Sequence, residues 1–203
     1  MKSSTAEILP LLGTSMGGGF YAGRIRIEDQ VYALIVAPKA EGEHAATTCI
    51  ARNKSVPEAL SYCDGLANTM AMADAGSKLA KWALDLRIGG NDDWYLPAQD
   101  ELEFIYRNLK PSDNQNYCRA RSGINLSAID PTLPHTLEVP AQTLAEAFQK
   151  GAEQAFDLDW YWTSTQHASN SGSAWSQNFL RGNQDYYHKL SELRARAVRR
   201  LIL

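Results

Sequence analysis

DWYWTSTQHASNSGSAWSQNFLRGNQDYYHKLSELRARAVRRLIL, residues 159–203, is the stretch that decides the fold. Tyr161 to Thr165 is aromatic and β-branched, the composition of a strand. Ala174 to Leu180 alternates. Trp175, Gln177 and Phe179 take one face, which is read as the inward one, and Ser176, Asn178 and Leu180 take the other. Gly182-Asn183 marks a turn, and Asp185 to Leu190 and Ala195 to Leu203 read as two further strands. The last third of the chain therefore predicts an antiparallel sheet. Trp160, Tyr161 and Trp162 are consecutive, so their side chains alternate and part of the trio must face outward.

Upstream of this stretch the periodicity becomes helical. Ser55 and Glu58 have capping-box spacing, and Val56, Ala59, Leu60, Cys63, Leu66, Ala67 and Met70 follow as one apolar stripe. A helix is expected from Ser55 to about Met72. Gly76 interrupts the pattern and Ser77 to Leu86 resumes it. After the turn at Gly89-Gly90-Asn91-Asp92-Asp93, the short extended piece Trp94-Tyr95-Leu96-Pro97 leads into a second main helix, Ala98 to Leu109. Asp100 and Glu101 in its first turn suit the helix dipole, and Leu102, Ile105, Tyr106 and Leu109 form its apolar face. Lys110 to Pro140 holds four prolines and little periodicity, which reads as a long surface loop. Thr143 and Glu146 make a second capping box before a short helix through Phe148.

Phe20 to Ile27 and Val31 to Ala37 give a hairpin signal closed by Pro38, and Lys39 to Lys54 is loop-like. Residues 1–19, ending in Gly17-Gly18-Gly19, read as a flexible lead-in to one domain over residues 20–203. The fold class is α+β: two main helices packed on a C-terminal antiparallel sheet, with an N-terminal hairpin.

Composition excludes several function classes. The net charge of -3 over 203 residues does not advertise a nucleic-acid partner. The one basic cluster, Arg194, Arg196, Arg199 and Arg200, fits alternating strand faces. No apolar run approaches the roughly 20 residues that span a bilayer, so no membrane insertion is expected. The core at Ile8 to Leu12 is short, broken by Pro10 and preceded by Glu7, so no export signal is evident and the chain is read as made in the cytoplasm. Cys49, Cys63 and Cys118 are odd in number and widely spaced, with Cys63 read as a buried thiol on a helix face. His44, His135, His167 and His188 share no metal spacing, and no GxSxG, P-loop or dinucleotide motif occurs. The chain is therefore read as no enzyme, with no catalytic metal and no cofactor. Turn formation accounts for Asp157 and Asp159 and for Asn91-Asp92-Asp93, with a structural calcium ion as the alternative.

A set of short motifs gives a further reading. Trp94, Leu96 and Pro97 precede Glu101-Leu102. Tyr161-Trp162-Thr163-Ser164-Thr165 follows, then Ala174-Trp175, Phe179 and Gly182, and finally Ala197-Val198-Arg199. In order and spacing, from about Ala59 to the C-terminus, they resemble the Lcl C-terminal domain family, a domain of unknown function. The resemblance implies a C-type lectin-like fold. Tyr95 stands where that family often has arginine, and Ala98 replaces a serine or threonine cap, forfeiting roughly 1 kcal/mol. The calcium and sugar signatures of C-type lectins are missing, since Ser176 and Gln177 follow Trp175. The opening Gly18-Gly19-Phe20-Tyr21-Ala22-Gly23 is similar to members encoded beside phage tail genes.

That likeness implies a binding module on a phage tail virion or a cell surface. It would recognise a host cell-surface protein or glycan and sit among other tail proteins as a homo-oligomer, a trimer before a dimer. The partner surface is expected between Gln166 and His188, at Gln166, His167, Asn170, Ser171, Ser173, Asn178, Asn183, Asp185, Tyr186, Tyr187 and His188. Tyrosine beside Ser and Asn is the palette of antibody paratopes, and diversified C-type lectin-like proteins vary the equivalent stretch. Three alternatives stand: an ordinary polar hairpin, a structural virion or assembly protein without a host ligand, and a sulfatase-activating enzyme. The last needs a late cysteine pair, and no cysteine follows Cys118.

Overall fold

A computed structural model of the chain describes residues 9–51, 54–119, 121–129 and 132–203. The fold is mixed α+β. The strands are β1 (Ser15–Met16), β2 (Gly19–Ile27), β3 (Gln30–Val36), β4 (Glu43–Thr48), β5 (Trp160–Gln166), β6 (Ser173–Asn178), β7 (Gln184–His188), β8 (Glu192–Arg196) and β9 (Val198–Ile202). The helices are α1 (Lys39–Gly42), α2 (Gly65–Asp74), α3 (Lys78–Asp85) and α4 (Gln99–Leu109), with a 3₁₀ turn at Glu146–Phe148. One sheet has the order β1-β2-β3-β9 and the other β4-β8-β5-β6-β7. All pairs are antiparallel except β5 with β8, which meet in parallel at Tyr161 and Arg194.

The C-terminal strands lie where alternation placed them, with one revision. The single strand expected from Ala195 to Leu203 divides at Ala197. β8 joins the five-stranded sheet and β9 pairs with β3 in the other, so one run of sequence serves both. The tract Lys39 to Lys54 also departs from the expected loop, since it supplies α1 and the edge strand β4. Of the lead-in, residues 9–19 are described. Gly17 and Gly18 take positive φ and turn β1 onto the start of β2, while Leu9 and Leu12 pack against the core.

The helix expected from Ser55 begins instead at Gly65, because the backbone of residues 56–62 is claimed by its neighbours. Gln166 donates its N–H to Ala59 O at 2.7 Å, the Thr165 hydroxyl donates to Ser61 O at 2.8 Å, and the Asp100 N–H reaches Tyr62 O at 2.8 Å. Asp64, not Ser55, is the cap, accepting from the Ala67 N–H at 3.1 Å. The buried face changes accordingly: Asn68, Thr69, Met72 and Ala73 turn inward, Met70 is exposed, and Cys63 lies before the helix and is half-buried. Thr143 likewise caps no helix: only a 3₁₀ turn forms from Glu146, its N-cap position is Ala145, and Leu144 is exposed.

α4 starts and ends as expected, yet all of its 11 residues are buried. Its N-terminal donors find remote acceptors. The Gln99 N–H donates to the Thr165 hydroxyl at 3.0 Å, so β5 supplies the cap that Ala98 lacks. Glu101 accepts from the Ala98 N–H at 2.7 Å, the Gly65 N–H at 3.2 Å and the Tyr95 hydroxyl at 2.7 Å, joining the starts of α2 and α4. A Cβ on Gly65 would lie 2.3 Å from that carboxylate, so only glycine fits there. The polar face of α4 is covered by the segment expected as a surface loop. Asp100 holds Arg121 and Ser127, and Glu103 holds Arg107, Asn125 and the buried His135. Carboxylates on a helix thus bind down a loop that has no periodicity of its own.

α4 packs between the two sheets, with Tyr161, Phe156 and Phe179 in its core, while Trp162 and Ala174 meet α2 and α3 on the opposite face. Tyr161 and Trp162 are therefore both fully buried, and Trp160 is the half-exposed member of the trio. Trp94 is buried, and Trp175 is buried as its inward strand position predicts.

Burial pushes the Glu101 carboxyl up from 4.5 to about 7, against the opposing hydrogen bonds from Ala98 and Tyr95. Folding then favours its protonated form. Its contribution to stability is present below pH 4.5 and is lost as pH rises through about 7. Urea unfolding should show the wild type losing stability relative to Glu101→Gln across that window. A pH-independent difference between the two would contradict this.

Candidate binding site

β7 is the outer strand of its sheet, and the register shows which of its backbone groups look outward. The Lys189 N–H reaches Gly172 O and the Asn178 N–H reaches Asn183 O, each at 2.9 Å. Positions 183, 185, 187 and 189 therefore bond inward to β6, while Gln184, Tyr186 and His188 turn their backbone groups outward. Four of these six outward groups are met from within the chain. The Ser122 hydroxyl accepts from the Gln184 N–H at 2.7 Å and donates to its carbonyl at 3.4 Å. Asp185 accepts from the Tyr186 N–H at 2.9 Å, and the Ser191 N–H donates to His188 O at 2.7 Å. Such plugs defend an edge against strand addition.

Side chains remain available, and they form an aromatic ledge. Tyr186 is 46% exposed. The half-buried His167 ring lies 4.3 Å from it and the buried Trp175 ring lies 5.7 Å away, with His167 also 5.2 Å from Trp175. The indole N–H of Trp175 is buried without a partner. Beside this ledge, the loop from β5 to β6 exposes Asn170 and Ser171, and β7 exposes His188. Asn183 and Asp185 are half-buried at the same edge. On the other face of β7, Tyr187 meets Trp160 at 5.0 Å between ring centres.

Three members of the expected surface lie elsewhere. Gln166 is buried, accepting from the Val56 N–H at 2.7 Å and the Lys189 ammonium at 2.6 Å. Ser173 is buried and its N–H reaches Asn170 O at 2.9 Å, which closes the loop. Asn178 is buried because both faces of β6 are covered, contrary to the outward face expected for Ser176 and Asn178. Its Oδ1 accepts from the Leu180 and Arg181 N–H groups, both at 2.9 Å, and fixes the turn into β7. Gly182, at φ +77°, completes that turn against the ring of Tyr106, 2.0 Å from where a Cβ would sit.

Residues missed in the sequence also converge here. Arg119 lies 3.8 Å from Asp185, the Tyr117 N–H reaches Arg181 O at 2.8 Å, and Arg121 stacks over Tyr62 at 4.0 Å. They come from the aperiodic segment; Arg119 reaches β7 and Tyr117 the turn before it across more than sixty residues, pairings that no local pattern encodes. The C-terminal arginines have carboxylate partners: Glu43 for Arg194 and Arg196, Asp93 for Arg199 and Asp64 for Arg200.

Asn178→Ala should cost about 1–3 kcal/mol, since two turn amides lose their acceptor. Tyr186→Ala should cost well under half of that. Thermal unfolding of the two variants checks this ranking, and a reversed order would show that Tyr186 is a packing residue.

Among the described residues, no group of three or more His, Cys, Asp or Glu side chains is placed to hold a metal ion, and no helix is long and apolar enough to cross a membrane. Comparison with curated proteins returns no match. The family model of the Lcl C-terminal domain matches residues 27–199, from the end of β2 into β9 and across the whole candidate edge; the chain belongs to the Lcl C-terminal domain family.

Proposed function

We propose that this chain is a non-enzymatic binding module, carried on a phage tail or another displayed surface, that attaches to a host cell-surface protein or glycan. The observation that carries the reading is the exposed Tyr186 ring, backed by His167 and Trp175, at a sheet edge most of whose outward backbone groups already have partners. A stiff aromatic side chain on a rigid support presents contact area at little entropic cost, and Tyr and Trp dominate recognition hot spots. The plugged edge favours side-chain recognition over strand addition. Asn170, Ser171 and His188 supply hydrogen-bonding groups beside the ring, and Asn183 and Asp185 add theirs on the other face of the same edge. Gln166, Ser173 and Asn178 support this surface from beneath.

A homo-oligomer, with a trimer favoured, is part of the proposal. Leu11 and Leu133 are exposed around an apolar groove of about 530 Å³, which supports contact between copies or with other tail proteins.

Tyr186→Ala and His188→Ala should leave the unfolding temperature nearly unchanged and weaken attachment to host cells at least tenfold. Normal attachment by both variants would place the partner surface elsewhere.

A further inference from the structure

The outer edge of β9 is the counterpart of the β7 edge in the other sheet, and it carries none of the same protection. Two contacts fix which way its backbone faces. The Leu203 N–H reaches Val31 O at 3.1 Å and the Ala37 N–H reaches Ala197 O at 3.0 Å, so the odd positions from 197 to 203 bond inward to β3. Val198 turns outward, where it exchanges both bonds with Tyr95, at 2.8 and 2.9 Å. Arg200 and Ile202 turn outward too. Their N–H and C=O groups have no partner among the described residues.

Charged side chains standing over an edge keep other strands away. Here the arginines lean elsewhere. Arg199 donates to Asp93 at 2.6 Å and to Gly17 O at 2.7 Å. Arg200 donates to Asp64 at 2.9 Å, with its guanidinium 4.9 Å from the Tyr32 ring of β3. Ile202, opposite Tyr32 in the register, is 72% exposed beside the open groups. A cavity of about 290 Å³ adjoins them, and Arg200 and Asp64 share its wall with Tyr32, Gln30, Glu28 and Asp29. Arg200 and Asp64 neutralise each other there. Glu28 and Asp29 are exposed and have no cationic partner among the described residues.

We propose that this edge takes up an extended segment of a partner protein as an added strand, continuing the antiparallel line begun by Tyr95. An aliphatic residue of that segment covers Ile202, and a lysine or arginine on the same face enters the cavity beside Glu28 and Asp29. In strand addition the main-chain bonds supply affinity and the pockets for alternate side chains supply specificity. Tyr95 already holds Val198, so the bonds on offer run from Arg200 to Ile202 and the segment required is short. Charge identifies the occupant: two free carboxylates in a cavity whose one cation is already paired favour a basic side chain. The surface shares no residue with the Tyr186 ledge and stands apart from the attachment reading.

The test is titration of the full chain with the hexapeptide Lys-Thr-Val-Thr-Val-Thr, blocked at both ends, read by the exchange of individual amides. In the free chain the Arg200 and Ile202 amides should exchange fast and the inward Leu201 amide slowly. The peptide should slow Arg200 and Ile202 at least tenfold and leave Leu201 unchanged. Ile202→Pro removes an outward donor and no bond to β3, a placement that an edge strand tolerates. It should weaken binding at least tenfold, with the circular dichroism spectrum and unfolding temperature close to those of the wild type. Glu28→Gln with Asp29→Asn should weaken binding several-fold, and so should glutamate in place of the peptide's lysine. Tyr186→Ala should change nothing, which separates failure here from failure of the attachment reading.

Arg200 and Ile202 amides that are already slow in the free chain would show a closed edge. Protection that grows with protein concentration alone would make the occupant a second copy of this chain. Binding that survives Ile202→Pro would place the peptide elsewhere, and equal affinity for the lysine and glutamate peptides would remove the argument from charge. Each of these outcomes overturns the proposal.

Discussion

The fold depends on one buried guanidinium. Arg196 is fully buried at the end of β8, one residue before the chain passes from the five-stranded sheet to the four-stranded one. Its donors reach Ala37 O at 3.0 Å, Gln154 O at 2.7 Å and Gln154 Oε1 at 3.2 Å, with Glu43 at 3.7 Å. The Phe156 and Phe148 rings stack near it at 4.7 and 5.6 Å. Burial pulls its pKa down to about 10, which still leaves it charged at neutral pH. The same burial, only partly offset by Arg196 and Lys39, raises the Glu43 carboxyl. A buried ion pair is weak evidence of net stabilisation, but removing one partner strands a charge. Its structural effect is to tie the end of β3, the start of β4 and the residues before β5 to one point, which sets how the two sheets meet.

That junction accounts for how the β7 edge is held. With the sheets held on either side of α4, the five-stranded sheet is covered on both faces, and every residue of β6 is buried. β7 is the first strand outward that keeps side chains in solvent. It is fixed by β6 on its inner side, by Ser122 from the aperiodic segment on its outer side, and by Asn178 and Gly182 at its turn. Tyr186 and Tyr187 therefore point to opposite faces of a strand with little freedom to shift register, and each is backed by another aromatic ring.

Much of this was legible in residues 159–203 alone. Alternation placed β5, β6 and β7 within a residue or two, and the Trp94–Glu101 motif located the start of α4. Local pattern failed where long-range contacts claim the backbone. Ser55 and Glu58 have a sound capping pattern, yet Gln166, Thr165 and Asp100 take the hydrogen bonds that a helix there would need. Alternation also assigned Asn178 to an outer face without showing that both faces of β6 are covered. The tyrosine, serine and asparagine palette could not separate exposed Tyr186 from buried Gln166 and Ser173. Ser122, Arg119 and Arg121 gave no signal, because their roles exist only once the aperiodic segment lies across α4 and β7.

The central claim is that the β7 edge is closed along most of its backbone, from the Gln184 amide onward, and that its side chains are what it offers to partners. Amide hydrogen exchange tests it most directly. The outward Gln184 amide should exchange slowly in the wild type, and Ser122→Ala should accelerate it while the inward amides of Asp185 and Tyr187 stay slow. A Gln184 amide that already exchanges at the rate of an open strand edge would mean the edge is free to accept a strand, and would contradict the account.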